Sequence, residues 1–588
     1  MDSTYIDRQL LSGNEAIARG AWEHGVRVAA AYPGTPSTEI LENLATYEGV
    51  AAQWSPNEKV ALEVAIGASL VGARALVAMK HVGVNVAADP LLTLAYTGVN
   101  GGLVLVSADD PGIHSSQNEQ DNRFYGRFAR VPVLEPSDSA EARDFVGVAL
   151  DVSERFDTVV ILRTTTRVSH SKSIVTPGER KLPPLRAYRK DIAKWVMVPG
   201  NARKRQPEVL ARQARLEAWV ETADINRIEW RDRRIGIVTA GATYPYVREG
   251  WPEASVLKLG ATYPLPQALI REFAAGVERV MVIEELEPFL YEGVRLAGVE
   301  PVPSGLPRVG ELSPGKVRQA VGKALGVPVQ APEVAAPADA PVRPPVLCPG
   351  CPHRSVFHVL SKLDLLVTGD IGCYTLAALP PLSAMDVFMD MGAAIGMALG
   401  AEKAKPEDVH RTVAVIGDST FLHSGITGLL DMVYNGSRGT VIILDNGTTA
   451  MTGHQDHPTS GKTLQGAKAP EVSLEKIAEG VGVRRLRVVN PFDLDALETA
   501  IREETAAEEV SVIIARHPCV LLDPAAVGEP VELVEDECVG CLTCTEFGCP
   551  AISWHEGHPV IEPTQCGGCG LCVSVCPVGA LVPGGERR

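Results

Sequence analysis

The sequence predicts an α/β protein: repeated doubly wound parallel sheets, followed by a small cysteine-rich α+β module. Three observations carry this. Short β-branched runs recur along the chain: GGLVLVSADD (101–110), DTVVILRTT (157–165), RIGIVTAG (234–241), VERVMVIEE (277–285), TVAVIGDS (412–419), GTVIILDNG (439–447) and VSVIIARHP (510–518). Stretches with helical spacing, such as PEVSLEKIAEGVG (470–482), lie between them. Near-continuous apolar strands alternating with helices indicate parallel sheets covered on both faces. Finally, the character of the chain changes near residue 528, after which cysteines replace apolar runs.

The 588 residues suffice for several domains of ordinary size, and 45% apolar with 22% charged residues is a globular composition. No apolar run is long enough to cross a membrane; MGAAIGMALGA (391–401) reads as a buried helix. The first residues carry acidic side chains and no apolar core, so a secretion signal is not expected and a cytoplasmic location is. There thiols stay reduced, and the 12 cysteines are expected to be ligands or catalysts. A net charge of −17 disfavours nucleic acid. The Arg-rich stretch from Arg203 to Arg234 also carries Glu208, Glu217, Glu221, Asp224, Glu229 and Asp232, and reads as a solvated helix. VPVQAPEVAAPADAPVRPPV (327–346) reads as an extended tether.

The tail contains Cys538-x2-Cys541-x2-Cys544-x4-Cys549-Pro, and the pattern returns 28 residues on as Cys566-x2-Cys569-x2-Cys572-x3-Cys576-Pro. Triplets spaced by two wrap one corner of a cubane, and the remote Cys-Pro reaches the other cluster. One [4Fe–4S] cluster is therefore expected on Cys538, Cys541, Cys544 and Cys576, and a second on Cys566, Cys569, Cys572 and Cys549. A pair of zinc sites is the alternative.

A further signature stands at two strand ends. Gly417-Asp418-Ser419 closes one run and Asp445-Asn446-Gly447-Thr448 another, with Asn446 28 residues after Asp418. On adjacent parallel strands these would meet where α/β sheets bind ligands. The Asp418 carboxylate, the Asn446 amide oxygen and the Thr448 carbonyl are hard ligands suited to Mg²⁺ bound to a diphosphate. The plain alternative is a strand-end turn. The spacing resembles the magnesium–diphosphate motif of thiamine diphosphate (TPP) enzymes, with Ser419 in place of the usual glycine. Such enzymes also need a glutamate at N1′ of the aminopyrimidine. SPNEKVALEVAIGAS offers Glu58, with Glu63 one turn later, although a first-turn glutamate is also ordinary helix-dipole chemistry.

Taken together, YPGTPSTE (32–39), NEKVALEVAIGAS (57–69), MKHVGVNVAADP (79–90), DDPGIHSSQNEQDNR (109–123), CPGCPHR (348–354), GDIGCYTL (369–376) and MTGHQDHPTSG (451–461) resemble large subunits of the indolepyruvate:ferredoxin oxidoreductase family, within the 2-oxoacid:ferredoxin oxidoreductases. The resemblance covers almost the whole chain. It implies a pyrimidine-binding TPP domain (1–170), a transketolase C-terminal-like domain (171–326) with a helical insertion near 200–233, a diphosphate-binding TPP domain (347–527) and a two-[4Fe–4S] ferredoxin domain (528–588). It implies Glu58 as the cofactor-activating glutamate, Thr35 near the substrate carboxylate, and Gly372 and Tyr374 of GDIGCY beside the cofactor with Gly417 and Ser419. It also implies coenzyme A, ferredoxin, an aryl 2-oxoacid and a smaller β subunit on a separate chain, in an α2β2 assembly. Related pyruvate enzymes have Gly-Gly-Gln where this chain has Gly453-His454-Gln455, so His454 is a candidate for proton transfer or substrate shaping, with packing as the alternative. His353, His81 and His114 read as structural.

Four cysteines remain: Cys348, Cys351, Cys373 and Cys519. Four is the number a [4Fe–4S] cluster needs. The wider family holds a cluster beside TPP with a Cys-x2-Cys pair, a nearby third cysteine and a distant fourth; here the last gap is 146 residues, from 373 to 519. A third cluster is expected, with a redox dithiol, zinc or buried thiols as alternatives. The implied reaction is oxidative decarboxylation of an aryl 2-oxoacid to an acyl-CoA. The alternatives are a non-oxidative decarboxylase with a structural ferredoxin segment, an oxidoreductase for another 2-oxoacid, and a pure electron-transfer subunit.

Overall fold

The computed structural model describes residues 8–329, 343–522 and 528–585. Most of the expected tether, 330–342, lies outside the described residues. The chain divides into two compact units, Met1–Ala338 and Asp339–Arg588.

The first unit holds a seven-stranded sheet. Its order is Ala261–Tyr263, Val133–Leu134, Val160–Thr165, Leu103–Asp109, Arg74–Lys80, Val26–Ala31, Ala51–Trp54. All neighbours are parallel except the outermost pair, Ala261–Tyr263 on Val133–Leu134. A four-stranded sheet follows in the order Val280–Val282, Asp232–Ala240, Ala254–Leu259, Arg227–Glu229, the last strand antiparallel.

The expected helical insertion is shorter than the sequence suggested. The helix Pro199–Val220 stops where the Asn226 amide donates to the Val220 carbonyl (2.9 Å). The Asn226 side-chain oxygen accepts from Gly260 and Ala261 N–H, which ties the turn to the sheets, and Arg227–Glu229 is already strand. Nor is the Arg-rich stretch uniformly solvated. Arg212 is buried, with its guanidinium donating to the carbonyls of Asp157 (2.9 Å) and Ala95 (2.6 Å). Counting charges cannot distinguish an arginine that caps a neighbouring helix and loop from one that faces water.

The second unit is built on a five-stranded, wholly parallel sheet: Leu366–Thr368, Thr412–Gly417, Thr440–Asp445, Ser511–Arg516, Arg485–Val489. Strand side chains alternate faces. Val413, Val415, Ile442 and Ile513 join one core, with Phe357 and Leu360. Ala414, Ile416, Val441, Ile443, Val512 and Ile514 join the other, with Ala394, Ile395 and Ala398 of the helix Ala393–Ala404. Both faces are buried, which is why these strands read as unbroken apolar runs.

The cysteine-rich tail pairs Glu532–Leu533 with Leu581–Val582 and Ile552–His555 with His558–Ile561, all antiparallel, and adds the short helices Thr543–Glu546 and Leu571–Val575. Its core is small: Val531, Cys544, Cys572 and Leu581. Among the described residues no helix is long and apolar enough to cross a membrane.

Candidate functional site

In the first unit, three neighbouring parallel strands, Arg74–Lys80, Val26–Ala31 and Ala51–Trp54, deliver their carboxyl ends to one edge. The loop after the middle strand carries Thr35, where Gly34 N–H donates to Thr38 Oγ1 (3.0 Å). Glu58 opens the helix Glu58–Leu70, capped by Asn57, whose side chain accepts from Val60 N–H (2.9 Å). Glu58 is 5% exposed. Glu63 lies on the solvent face, paired with Lys59. The glutamate carboxylate abuts Gly83 so closely that a Cβ there would stand 2.6 Å from Glu58 Oε1 and 2.7 Å from its Cγ. Lys80 Nζ donates to the Ser115 carbonyl (2.6 Å); burial lowers its pKa to about 8, opposed by Asp110. His81 Nε2 faces the Asn118 carbonyl (3.3 Å), and His114 pairs with Glu311 (3.1 Å).

In the second unit, strands Thr412–Gly417 and Thr440–Asp445 are adjacent and parallel, and their ends bring Asp418 and Asn446 together. Asp418 Oδ2 accepts from the N–H groups of Asn446 (3.2 Å) and Gly447 (2.8 Å), and Oδ1 from Ser419 N–H (2.7 Å). His457 Nε2 stands 3.3 Å from Oδ2. Burial alone would raise the Asp418 pKa; His457 and the backbone N–H groups outweigh it and hold the carboxyl below its usual range. A buried, ionised carboxylate suits a hard cation. The Asn446 amide oxygen accepts from Thr448 N–H (3.2 Å), and its nitrogen faces His353 Nε2 (3.3 Å). Burial pushes the His353 pKa down to about 4, so a neutral ring accepts from the amide.

Tyr374 ties two loops together: Gly417 N–H donates to its hydroxyl (3.0 Å), which donates to the Ile371 carbonyl (3.2 Å). Its ring packs so tightly on Gly372 and Gly417 that a Cβ would come within 2.4 Å and 2.8 Å of it. Ser419 Oγ lies 2.9 Å from Thr449 Oγ1. His454 has φ 65°, in the left-handed region, and its Nε2 is buried without a hydrogen-bond partner among the described residues. Sequence reasoning missed His457, the tie from His353 to Asn446, and Asp370. Asp370 is buried, accepts from Gly392 and Ala394 N–H, and so holds the start of the apolar helix against GDIGC. HQDH at 454–457 offered a signal for His457, since only five residues separate the motif from the Asp-Asn-Gly-Thr turn.

All twelve cysteines are free. The four outside the tail gather beside this loop. Burial raises Cys351 to about 12 and Cys373 to about 11. Cys351, Cys373 and Cys519 each feel the charge of Cys348. Cys519 N–H donates to the Asn446 carbonyl (3.0 Å), joining this quartet to the Asp418 loop. The tail cysteines divide between two cavities. Cys538, Cys541, Cys544 and Cys576 line one, with Trp554 and Leu581. Cys549, Cys566, Cys569 and Cys572 line the other, with Phe547, Ile561, Pro349, Gly350 and Arg354. Both triplets turn on left-handed residues, Gly540 and Leu542 in the first and Gly568 and Gly570 in the second. Such turns aim backbone N–H groups inward, as an anionic centre requires. Among the described residues no three His, Cys, Asp or Glu side chains could hold a single metal ion.

Residues 19–229 match the family described as pyruvate flavodoxin/ferredoxin oxidoreductase, thiamine diP-binding. Residues 370–515 match the C-terminal TPP binding domain of thiamine pyrophosphate enzymes, and 559–582 match a 4Fe-4S binding domain. The chain is 41% identical to indolepyruvate oxidoreductase subunit IorA of Methanothermobacter marburgensis, covering 100% of this chain and 99% of that one. The chain belongs to the indolepyruvate oxidoreductase IorA family. The IorA proteins of Archaeoglobus fulgidus and Thermococcus kodakarensis are each 40% identical to it, over 98% of this chain and 98% and 97% of theirs. Membership makes it an oxidoreductase subunit with TPP-binding and iron–sulfur domains, related to the 2-oxoacid:ferredoxin oxidoreductases. The two TPP-binding matches enclose Glu58 and Asp418 respectively.

Proposed function

We propose that the chain carries out TPP- and Mg²⁺-dependent oxidative decarboxylation of aryl 2-oxoacids, indolepyruvate and similar aryl pyruvates, with coenzyme A. The products are an aryl-acetyl-CoA and CO2, and the electrons pass through [4Fe–4S] clusters to ferredoxin. A smaller β subunit completes an α2β2 assembly in the cytoplasm. The observation that carries this is the bond from Cys519 N–H to the Asn446 carbonyl, which joins four cysteines to the loop of Asp418.

Bound TPP supplies the carbanion-stabilising ring on which decarboxylation proceeds. The protein's residues hold, orient and exclude. Asp418, the Asn446 amide oxygen and the Thr448 carbonyl are assigned to Mg²⁺; His457 and His353 orient the first two. Glu58 is assigned to hold a proton at N1′ of the aminopyrimidine, and its burial strengthens that interaction. Gly372, Tyr374, Gly417 and Ser419 shape the cofactor loop. Thr35 is assigned to the substrate carboxylate and His454 to the substrate wall. The two tail cavities suit one [4Fe–4S] cluster each, and the quartet Cys348, Cys351, Cys373 and Cys519 suits a third, nearest to Asp418.

Anaerobic steady-state kinetics of the two-subunit enzyme on aryl, branched-chain and small 2-oxoacids tests the proposal. Acyl-CoA formed with stoichiometric ferredoxin reduction, and highest kcat/KM on aryl substrates, is expected. Free aldehyde without ferredoxin reduction would favour a non-oxidative decarboxylase. Preference for a small 2-oxoacid would reassign the substrate.

A further inference from the structure

CPGCPHR ends in two residues with different neighbours. His353 faces Asn446, whereas Arg354 faces the cysteine-rich tail. Arg354 is 2% exposed. Its Nη1 donates to the carbonyls of Phe547 (3.3 Å) and Gly548, immediately before Cys549. Its Nη2 donates to the carbonyls of Leu347 (2.6 Å) and Cys348 (3.2 Å). One guanidinium therefore pins together the backbones that carry Cys348 and Cys549. Its Nε is buried and has no hydrogen-bond partner among the described residues. Among the described residues it is also the one charged side chain lining the cavity of Cys549, Cys566, Cys569 and Cys572. Among the described residues no charged side chain lines the cavity of Cys538, Cys541, Cys544 and Cys576.

Leaving an N–H of a buried guanidinium unpaired is costly. An iron–sulfur cluster would supply the acceptor, because its sulfurs take N–H hydrogen bonds and its charge becomes more negative on reduction. Hydrogen bonds and positive charge both favour the reduced state and raise the potential.

We propose that Arg354 is a redox-tuning residue. Its Nε–H donates to sulfur of the cluster held by Cys549, Cys566, Cys569 and Cys572, making that cluster the higher-potential member of the tail pair. One electron leaving the centre at Cys348, Cys351, Cys373 and Cys519 oxidises that centre and reduces the Arg354-facing cluster. That cluster then becomes the resting place of the electron before it moves outward. The inference rests on the proposed function in requiring clusters in these cavities.

The test is EPR-monitored potentiometry of the complete anaerobic holoenzyme carrying Arg354→Met or Arg354→Lys, with iron content measured alongside. In R354M one reduced-cluster signal should become at least tenfold harder to reduce, which is 59 mV for one electron, while the other tail cluster stays put. R354K keeps the charge but lacks Nε–H, and should shift the same signal less. If R354M fails to retain iron, R354K decides: a shifted signal supports the proposal, and a wild-type potential overturns it. Unchanged potentials in iron-replete R354M also overturn it. Wild-type holoenzyme without iron would instead overturn the proposed function.

Discussion

Gly83→Ala tests whether the position of Glu58 matters. A Cβ at residue 83 would stand 2.6 Å from Glu58 Oε1, 2.7 Å from Cγ and 2.9 Å from Cδ. Ordinary contact begins near 3.4 Å. Three consecutive atoms of one side chain would have to retreat by about 0.5–0.8 Å, so rotating the carboxylate alone cannot relieve the clash. Overpacking of this kind costs about 1–3 kcal/mol of stability, and displacing a catalytic group by about 1 Å can cost about 10²-fold in rate. G83A should therefore stay folded and lose about 10²-fold in kcat for the decarboxylation. Glu58→Gln, which removes the proton-holding carboxylate itself, should lose about 10²–10⁴-fold. The two substitutions act on one group, so the double variant should be no worse than E58Q. The assay is anaerobic ferredoxin reduction with saturating TPP and Mg²⁺, with circular dichroism as the folding control. G83A within threefold of wild type, or losses that multiply in the double variant, would refute the reasoning.

Three further outcomes are expected. His454→Gly relieves left-handed strain of about 1–2 kcal/mol against about 0.5–1 kcal/mol of added unfolded-chain freedom, so thermal stability should hold or rise while turnover falls; unaltered turnover would remove His454 from the mechanism. The hydrogen bond from Arg516 (2.7 Å) lowers the Glu475 pKa from 4.5 to about 2, so this pair's stabilisation is full above pH 4.5 and disappears as pH falls towards 2. Glu475→Gln, which leaves the second pairing of Arg516 with Asp445 in place, should flatten that acid limb by at most about 1 kcal/mol in urea titrations, as befits a pair open to solvent, and an unchanged slope would show that the pair does not couple to folding. Cys348→Ser should lower iron from about twelve to about eight atoms per chain, four per cluster; a wild-type value of eight would remove the third cluster.

The sequence revealed most of the fold because its strands are buried on both faces. TVAVIG and TVIILD read as central strands of a covered sheet, and both their faces are buried. The residues at those strand ends were legible for the same reason, since strand order and spacing bring Asp418 to Asn446. What stayed hidden depends on contacts between distant segments. Arg212 reads as one more charge in a charged helix until Asp157 and Ala95 accept from it. Arg354 reads as the end of a cysteine motif until Gly548, 194 positions away, accepts from it. Glycines 83 and 417 carry no sequence mark of the side chains pressed against them.

The strand Ala261–Tyr263 comes from the second half of the first unit but lies on the sheet of the first half, beside Val133–Leu134. Arg123 is bound in the same direction, donating to Glu284 (2.8 Å) and to the Glu285 carbonyl (3.1 Å). Cutting the chain at residue 170 would leave an open sheet edge ready to pair with another chain, and would strip the buried Arg123 of its Glu284 and Glu285 acceptors, leaving it to Asp121. The two halves are thus not interchangeable modules. A gene fusion or fission placed there would yield an aggregating fragment, and the unit should melt in a single cooperative transition although it contains two sheets.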